Sequence, residues 1–134
     1  MPLKSNDTDG AITRKRLENY VTAHEKVTAV ALTDAAATLT AAQLVESKLF
    51  TITPTAARDL TTATAAQIVA QLTDEAVGTS FEFTIVNLAA STHAVTLVGG
   101  SSVTVTGAAA VSAATSGTFV AVVTGASTVT VYRK

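Results

Sequence analysis

From Ser80 onward the chain alternates with the period of a β-strand. Phe81, Phe83 and Ile85 fall on one side and Glu82, Thr84 and Val86 on the other. Val103-Thr104-Val105-Thr106 and Val129-Thr130-Val131-Tyr132 repeat the alternation. Gly and Ser punctuate the runs at Gly99-Gly100-Ser101, Gly107, Ser116-Gly117 and Gly125-Ala126-Ser127. This pattern predicts strands at about 80–88, 93–98, 102–106, 108–112, 117–124 and 127–133. Gly99-Gly100, between two such runs, reads as a hairpin device. Short strands at even spacing predict a mainly β fold, an antiparallel β-sandwich or jelly-roll-like barrel with two or three short helices.

Upstream the pattern is mixed. Val27 to Leu32 reads as a strand, followed by a polar turn at Thr33-Asp34 and a stretch of small residues. Lys48 to Thr53 is a second strand, stopped by Pro54, and Arg58-Asp59-Leu60-Thr61 a shorter third. Two similar units surround them. Thr40-Ala41-Ala42-Gln43-Leu44-Val45 and Thr64-Ala65-Ala66-Gln67-Ile68-Val69 each place a Thr where it caps a short helix. Two copies fall short of the three that a repeat architecture needs. Val77-Gly78-Thr79 is a turn. Residues 1–10 have no apolar period and read as an arm. Ile12, Leu17, Tyr20, Val21 and His24 approximate one helical face up to Lys26. The expected organisation is an N-terminal arm and short helix over 1–26, then a single β-rich domain over 27–134.

Composition sharpens this reading. Ala, Thr and Val supply half of the 134 residues, aromatics only 4%, and Trp is absent. Thr and Val suit a half-buried pleated surface, whereas Ala contributes little burial. At ~25 cal/mol per Å² of apolar area such a core is thin, and association is a common remedy. Charge is unevenly placed. Residues 1–26 hold nine of the 19 formal charges, while Ser80 to Tyr132 contains one acid, Glu82, one histidine, His93, and no Lys or Arg. Free strand edges are usually guarded by Lys, Pro or inward-pointing charge. These strands have almost none, so other subunits or a supporting surface are expected to cover them.

The inventory of chemistry points away from an enzyme. Cysteine is absent, so there is no thiolate site and no disulfide. His24 and His93 stand far apart without a nucleophile motif, and His93 reads as a turn histidine. Asp74-Glu75 reads as a solubilised turn rather than an acid–base pair. Ser5 to Arg16 resembles a calcium loop at Asp7, Asp9 and Gly10. Its twelfth position, however, is Arg16 where a bidentate Glu is needed. No phosphate loop, Gly-x-Ser-x-Gly elbow or His-Glu-x-x-His is present. The expectation is no catalytic residue, no cofactor and no metal.

Net charge −1 and pI about 6.0 supply no global field toward nucleic acid or anionic lipid. The chain has no apolar run of transmembrane length and begins with a polar stretch unlike a secretory leader. Neither nucleic acid nor membrane is therefore expected as a partner. Arg14-Lys15-Arg16 falls in a first helical turn, where cations oppose the helix dipole. With Lys4 and Tyr20, these residues are the expected partner-binding set. Tyr20 is the only aromatic near the cluster, too few for a nucleic-acid stacking platform.

Several strings have a family look. They are Leu39-Thr40-Ala41-Ala42-Gln43-Leu44, Thr53-Pro54-Thr55-Ala56-Ala57-Arg58-Asp59-Leu60-Thr61, and Val77-Gly78-Thr79-Ser80-Phe81-Glu82-Phe83-Thr84-Ile85-Val86-Asn87. Gly117-Thr118-Phe119 and Val129-Thr130-Val131-Tyr132-Arg133 close the chain. Over roughly residues 38–133 the chain resembles small head decoration (cement) proteins and related virion structural proteins of tailed bacteriophages. The resemblance implies a β-rich, often trimeric protein bound to the outside of a capsid shell, with the major capsid protein as partner. It implies assembly in the host cytoplasm and no catalytic residues, and it says nothing about residues 1–26. A tail or head-fibre module contacting a host receptor or another virion protein is the alternative.

Overall fold

Two consecutive units of this sequence build two consecutive turns of a coil. The computed structural model describes residues 27–72 and 77–134. The chain enters as β1 (Ala29–Ala31), crosses to β2 (Ala37–Thr38), and returns through a π-helical turn (Gln43–Ser47). The next pass runs through β3 (Leu49–Ile52), β4 (Arg58–Thr61) and helix α1 (Ala65–Gln71). A third uses β5 (Ser80–Asn87) and β6 (Val95–Val98). β1, β3 and β5 lie side by side in parallel in one sheet, and β2, β4 and β6 do the same in another.

The two Thr-Ala-Ala-Gln units stand at equivalent points of successive passes. The Thr40 hydroxyl accepts from the Gln43 backbone N–H at 3.1 Å, and the Gln43 side-chain Oε1 accepts from the Thr40 N–H at 3.0 Å. Thr64 and Gln67 make the same reciprocal pair at 3.2 and 3.0 Å. Each box satisfies two backbone donors that a helix start leaves free. Leu44 and Ile68 then fall on the inner side of their turns and are buried. Lys48 ends the first turn in the left-handed region (φ 64°), its N–H bonded to the Gln43 carbonyl.

The remaining strands complete both sheets. β7 (Val103–Thr106) goes to the far edge of the large sheet, and β8 (Ala110–Val111) pairs antiparallel with β6 in the small one. The hairpin β9 (Ser116–Gly125) and β10 (Thr128–Arg133) fills the gap, giving the order β1-β3-β5-β9-β10-β7. One core is shared by the two sheets. Phe50, Phe81, Phe83 and Phe119 come from the large sheet, and Leu60, Val95, Leu97 and Val111 from the small one. Phe83 is its centre. Its ring stacks on Phe119 at 5.5 Å, meets Phe50 edge-on at 6.3 Å and lies 6.2 Å from Phe81.

The mainly β class and the strand positions agree with the sequence reading, and Phe81, Phe83 and Ile85 face inward as expected. Three expectations are corrected. The sheets are mixed rather than antiparallel: five of the eight strand pairings are parallel. The chain crosses to the other sheet after each early strand instead of doubling back, so it re-enters each sheet in the same direction. Gly99-Gly100 does not close a hairpin, because β6 and β7 belong to different sheets. Gly100 permits a close approach instead. A Cβ there would stand 2.5 Å from the Thr62 carbonyl oxygen, whose side-chain hydroxyl takes the Gly100 N–H. Finally, the long uncharged strands β5, β9 and β10 are interior to the large sheet and cover one another. Among the described residues the free edges of that sheet are β1 and β7. Of the expected helices, the described residues contain two, and the stretch 12–26 lies outside them.

Phe83→Ala removes the ring at the centre of this cluster. Large-to-small core substitutions of this kind cost ~3–5 kcal/mol. Urea denaturation of the variant is expected to show that loss, and an unchanged midpoint would contradict the packing.

Candidate interaction surface

The positions that the sequence marks for partner binding, Lys4, Arg14, Lys15, Arg16 and Tyr20, lie outside the described residues. So do His24, Asp74, Glu75 and the calcium-like stretch 5–16. Among the described residues, no three His, Cys, Asp or Glu side chains are grouped to hold a metal. No helix among them is long and apolar enough to cross a membrane. Glu82 points outward and pairs with Lys134 Nζ at 2.9 Å, both side chains more than half exposed. His93 is a turn residue with φ 79°, and its carbonyl accepts from Asn87 Nδ2.

The loops that carry the chain from the large sheet to the small one contain two polar clusters. In the first, Asp34 on the first pass reaches the second. Its carboxylate accepts from Arg58 Nε at 2.7 Å, from the Thr55 N–H at 3.1 Å and from the Thr55 hydroxyl. The Arg58 bond, then the Thr55 bonds, hold the carboxyl well below the usual carboxylate range. In the second, buried Asn87 ends β5. Nδ2 donates to the His93 and Val111 carbonyls, each at 2.9 Å, and Oδ1 accepts from the Ala89 N–H at 3.0 Å. Ala89 and Ala90 separate two shallow clefts of about 430 and 290 Å³. Their linings contain no acid, cation or aromatic apart from His93.

Arg133 closes the neighbouring side of the core. Its Nη1 donates to the Ala108 and Ala110 carbonyls at 3.0 and 2.9 Å, and its guanidinium lies 5.3 Å from the Phe119 ring centre. Gly117 makes room for it, since a Cβ there would lie 3.0 Å from the guanidinium carbon and 2.8 Å from Val111. Arg133 thus ties the last strand to the segment leading into β8.

The broadest accessible feature is the outer face of the large sheet. Alternation turns Thr84, Val86, Thr118, Val120, Val122, Thr130 and Tyr132 away from the core. Tyr132, 45% exposed, stands between Val120 on β9 and Thr106 on β7. Among the described residues on these strands, the charge on this face is the Glu82–Lys134 pair, whose two members neutralise each other. Such a face can be covered with little desolvation of charge.

Sequence reasoning missed the Asp34–Thr55–Arg58 cluster and the Arg133 tie. The first had a signal: aligning Leu32-Thr33-Asp34-Ala35-Ala36 with Ile52-Thr53-Pro54-Thr55-Ala56-Ala57 stacks the two turns. The second had none, because β8 and β10 belong to different sheets and meet only where the two pack together.

No family model, curated protein or solved structure matches the chain.

The Asp34 cluster gives a pH prediction. The folded-state pKa lies below the unfolded value of about 3.9, so the stabilisation is complete above about pH 5 and fades as pH falls through the folded value. The stability difference between wild type and Asp34→Asn is expected to be constant from pH 7 to about 5 and to shrink below about pH 4. Thermal melts across this range check it; a difference undiminished at pH 2 would assign the effect to something other than the carboxylate.

Proposed function

We propose that this chain is a non-enzymatic structural virion protein that decorates and stabilises a phage capsid as an oligomer, with three copies as the expected number. The observation that carries the reading is the uneven density of charge along the chain. Nine of 19 charges precede Val27, while the β domain offers a broad outer face whose charge is one mutually neutralised pair. A surface of that kind suits permanent contact with protein rather than free solvation. The resemblance over residues 38–133 points the same way. Within this reading the two sheets form a sandwich over their shared core, and the major capsid protein is the partner on the exterior of the shell.

The fibre alternative asks for loops bearing aromatic or arginine anchors. The described loops at the crossing end have no aromatic, and Arg58 is engaged by Asp34. Residues 1–26, with Lys4, Arg14, Lys15, Arg16 and Tyr20, make the main contact to the shell in this proposal.

Light scattering of the isolated protein is expected to give a discrete multiple of 13.6 kDa. The protein is also expected to pellet with undecorated shells of its phage. A monodisperse monomer at micromolar concentration, or protein left in the supernatant, would overturn the reading. A chain shortened to begin at Val27 should keep its fold and self-association but lose shell binding. Full-length binding should weaken with added salt, since exposed charges are screened over about 8 Å at physiological ionic strength. Undiminished shell binding by the shortened chain would remove the arm from the contact.

A further inference from the structure

Among the described residues the large sheet has two free edges, and neither carries a guard. Among the described residues no strand lies beyond β1 on one side or β7 on the other. Strand backbone groups point alternately to the two sides. The Leu32 N–H goes inward to the Thr51 carbonyl, so the groups of Ala31 and Ala29 face the open side. At the other edge the Ser102 carbonyl accepts from Val129, so those of Val105 face out. Residues 27–33 and 101–107 contain no charge and no proline. Of the two charges that flank β1 at equal distance in the sequence, Lys26 lies outside the described residues and Asp34 is held by Thr55 and Arg58. Monomeric β proteins blunt such edges with Lys, Pro or inward charge.

We propose that β1 of one copy pairs with β7 of the next, in a closed ring. This rests on the reading of the protein as a homo-oligomer and names the surfaces that make it. The choice of occupant follows from the count of edges. A two-fold pairing of β1 with β1 leaves both β7 edges open. Pairing β1 with β7 consumes one edge of each kind per copy, and a ring leaves none. Rotational assemblies with more than two copies need this type of contact, in which two different patches of the same chain meet. The edges are also compatible in direction. β1 runs parallel to β3 and β5, and β7 runs parallel to β10, which like β5 is antiparallel to β9. The two edge strands therefore run in the same sense and can extend the sheet as a parallel pair. Val30 on β1 and Val105 on β7 both pack toward the core, so the joint would also continue the apolar layer.

The absence of native cysteine makes the test clean. Ala29 and Thr104 are exposed edge residues. Full-length Ala29→Cys and Thr104→Cys proteins are each treated with a short bismaleimide, alone and after being mixed and refolded together. The proposal expects a covalent dimer in the mixture and none in either protein alone. Efficient cross-linking of Ala29→Cys by itself would assign the edge to a two-fold contact and overturn it. A wild-type trimer with no cross-link in the mixture would overturn the edge contact while leaving the oligomer standing; a wild-type monomer would remove both. As an independent check, Ala31→Lys places a guard on β1. Light scattering is expected to shift to the monomer mass with the melting temperature of the domain retained. A trimer that tolerates this lysine contradicts the proposal.

Discussion

Every pass of this chain must leave one sheet, join the other and return without stranding a backbone polar group. The structure meets that constraint with side chains placed at the crossings. On the return side, Thr40 with Gln43 and Thr64 with Gln67 supply the donors and acceptors that a helix start lacks. On the outward side, Asp34 holds the next pass through Thr55 and Arg58, and Asn87 ties two backbone groups of the third pass and the Val111 carbonyl of β8. Parallel pairing then follows. Because each crossing lies over its predecessor, strands re-enter their sheet in the same direction, and the apolar side chains of successive passes come into line.

Packing depends on that alignment because large side chains are scarce. Four phenylalanines, all on the large sheet, fill the space that Ala, Thr and Val leave. Phe83 touches the other three, so its position couples the second and third passes to the later hairpin. The opposing layer is aliphatic, and Arg133 closes one side by bonding carbonyls that lead into the two-residue strand β8. A strand of two residues contributes few ladder bonds, and the arginine adds two more contacts where the sheet is narrowest.

Much of this was legible in the residues. Strict alternation located the six strands after Ser80, and both capping boxes were visible at Thr40 and Thr64. Pairing was not legible, because a period of two says which face a residue takes but not which strand lies beside it. The coil was hidden by its third turn. Where the first two passes return through a capped helical turn, the third has Gly99-Gly100-Ser101, so the sequence shows two copies of the unit rather than three. β2 escaped notice because Ala37-Thr38 sits in an alanine run and forms a strand only through its neighbour β4. The interaction surface was half legible. The scarcity of charge after Ser80 was plain, but which strands would be edges depended on β9 and β10 inserting between β5 and β7.

That insertion changes what the missing charges mean. Uncharged strands inside a sheet need no guard, since their neighbours use their hydrogen bonds. The same lack of charge at β1 and β7 is different in kind, because among the described residues no neighbouring strand takes their outward groups. Under the proposed function, two contacts of different physical character then coexist in one small protein. Self-association through strand edges depends on backbone bonds and apolar side chains, and neither is much affected by salt. Shell contact through Lys4, Arg14, Lys15 and Arg16 is ionic and screened. A protein built this way can hold its oligomer together under conditions that release it from the shell. The division of charge along the chain is what makes the two separable.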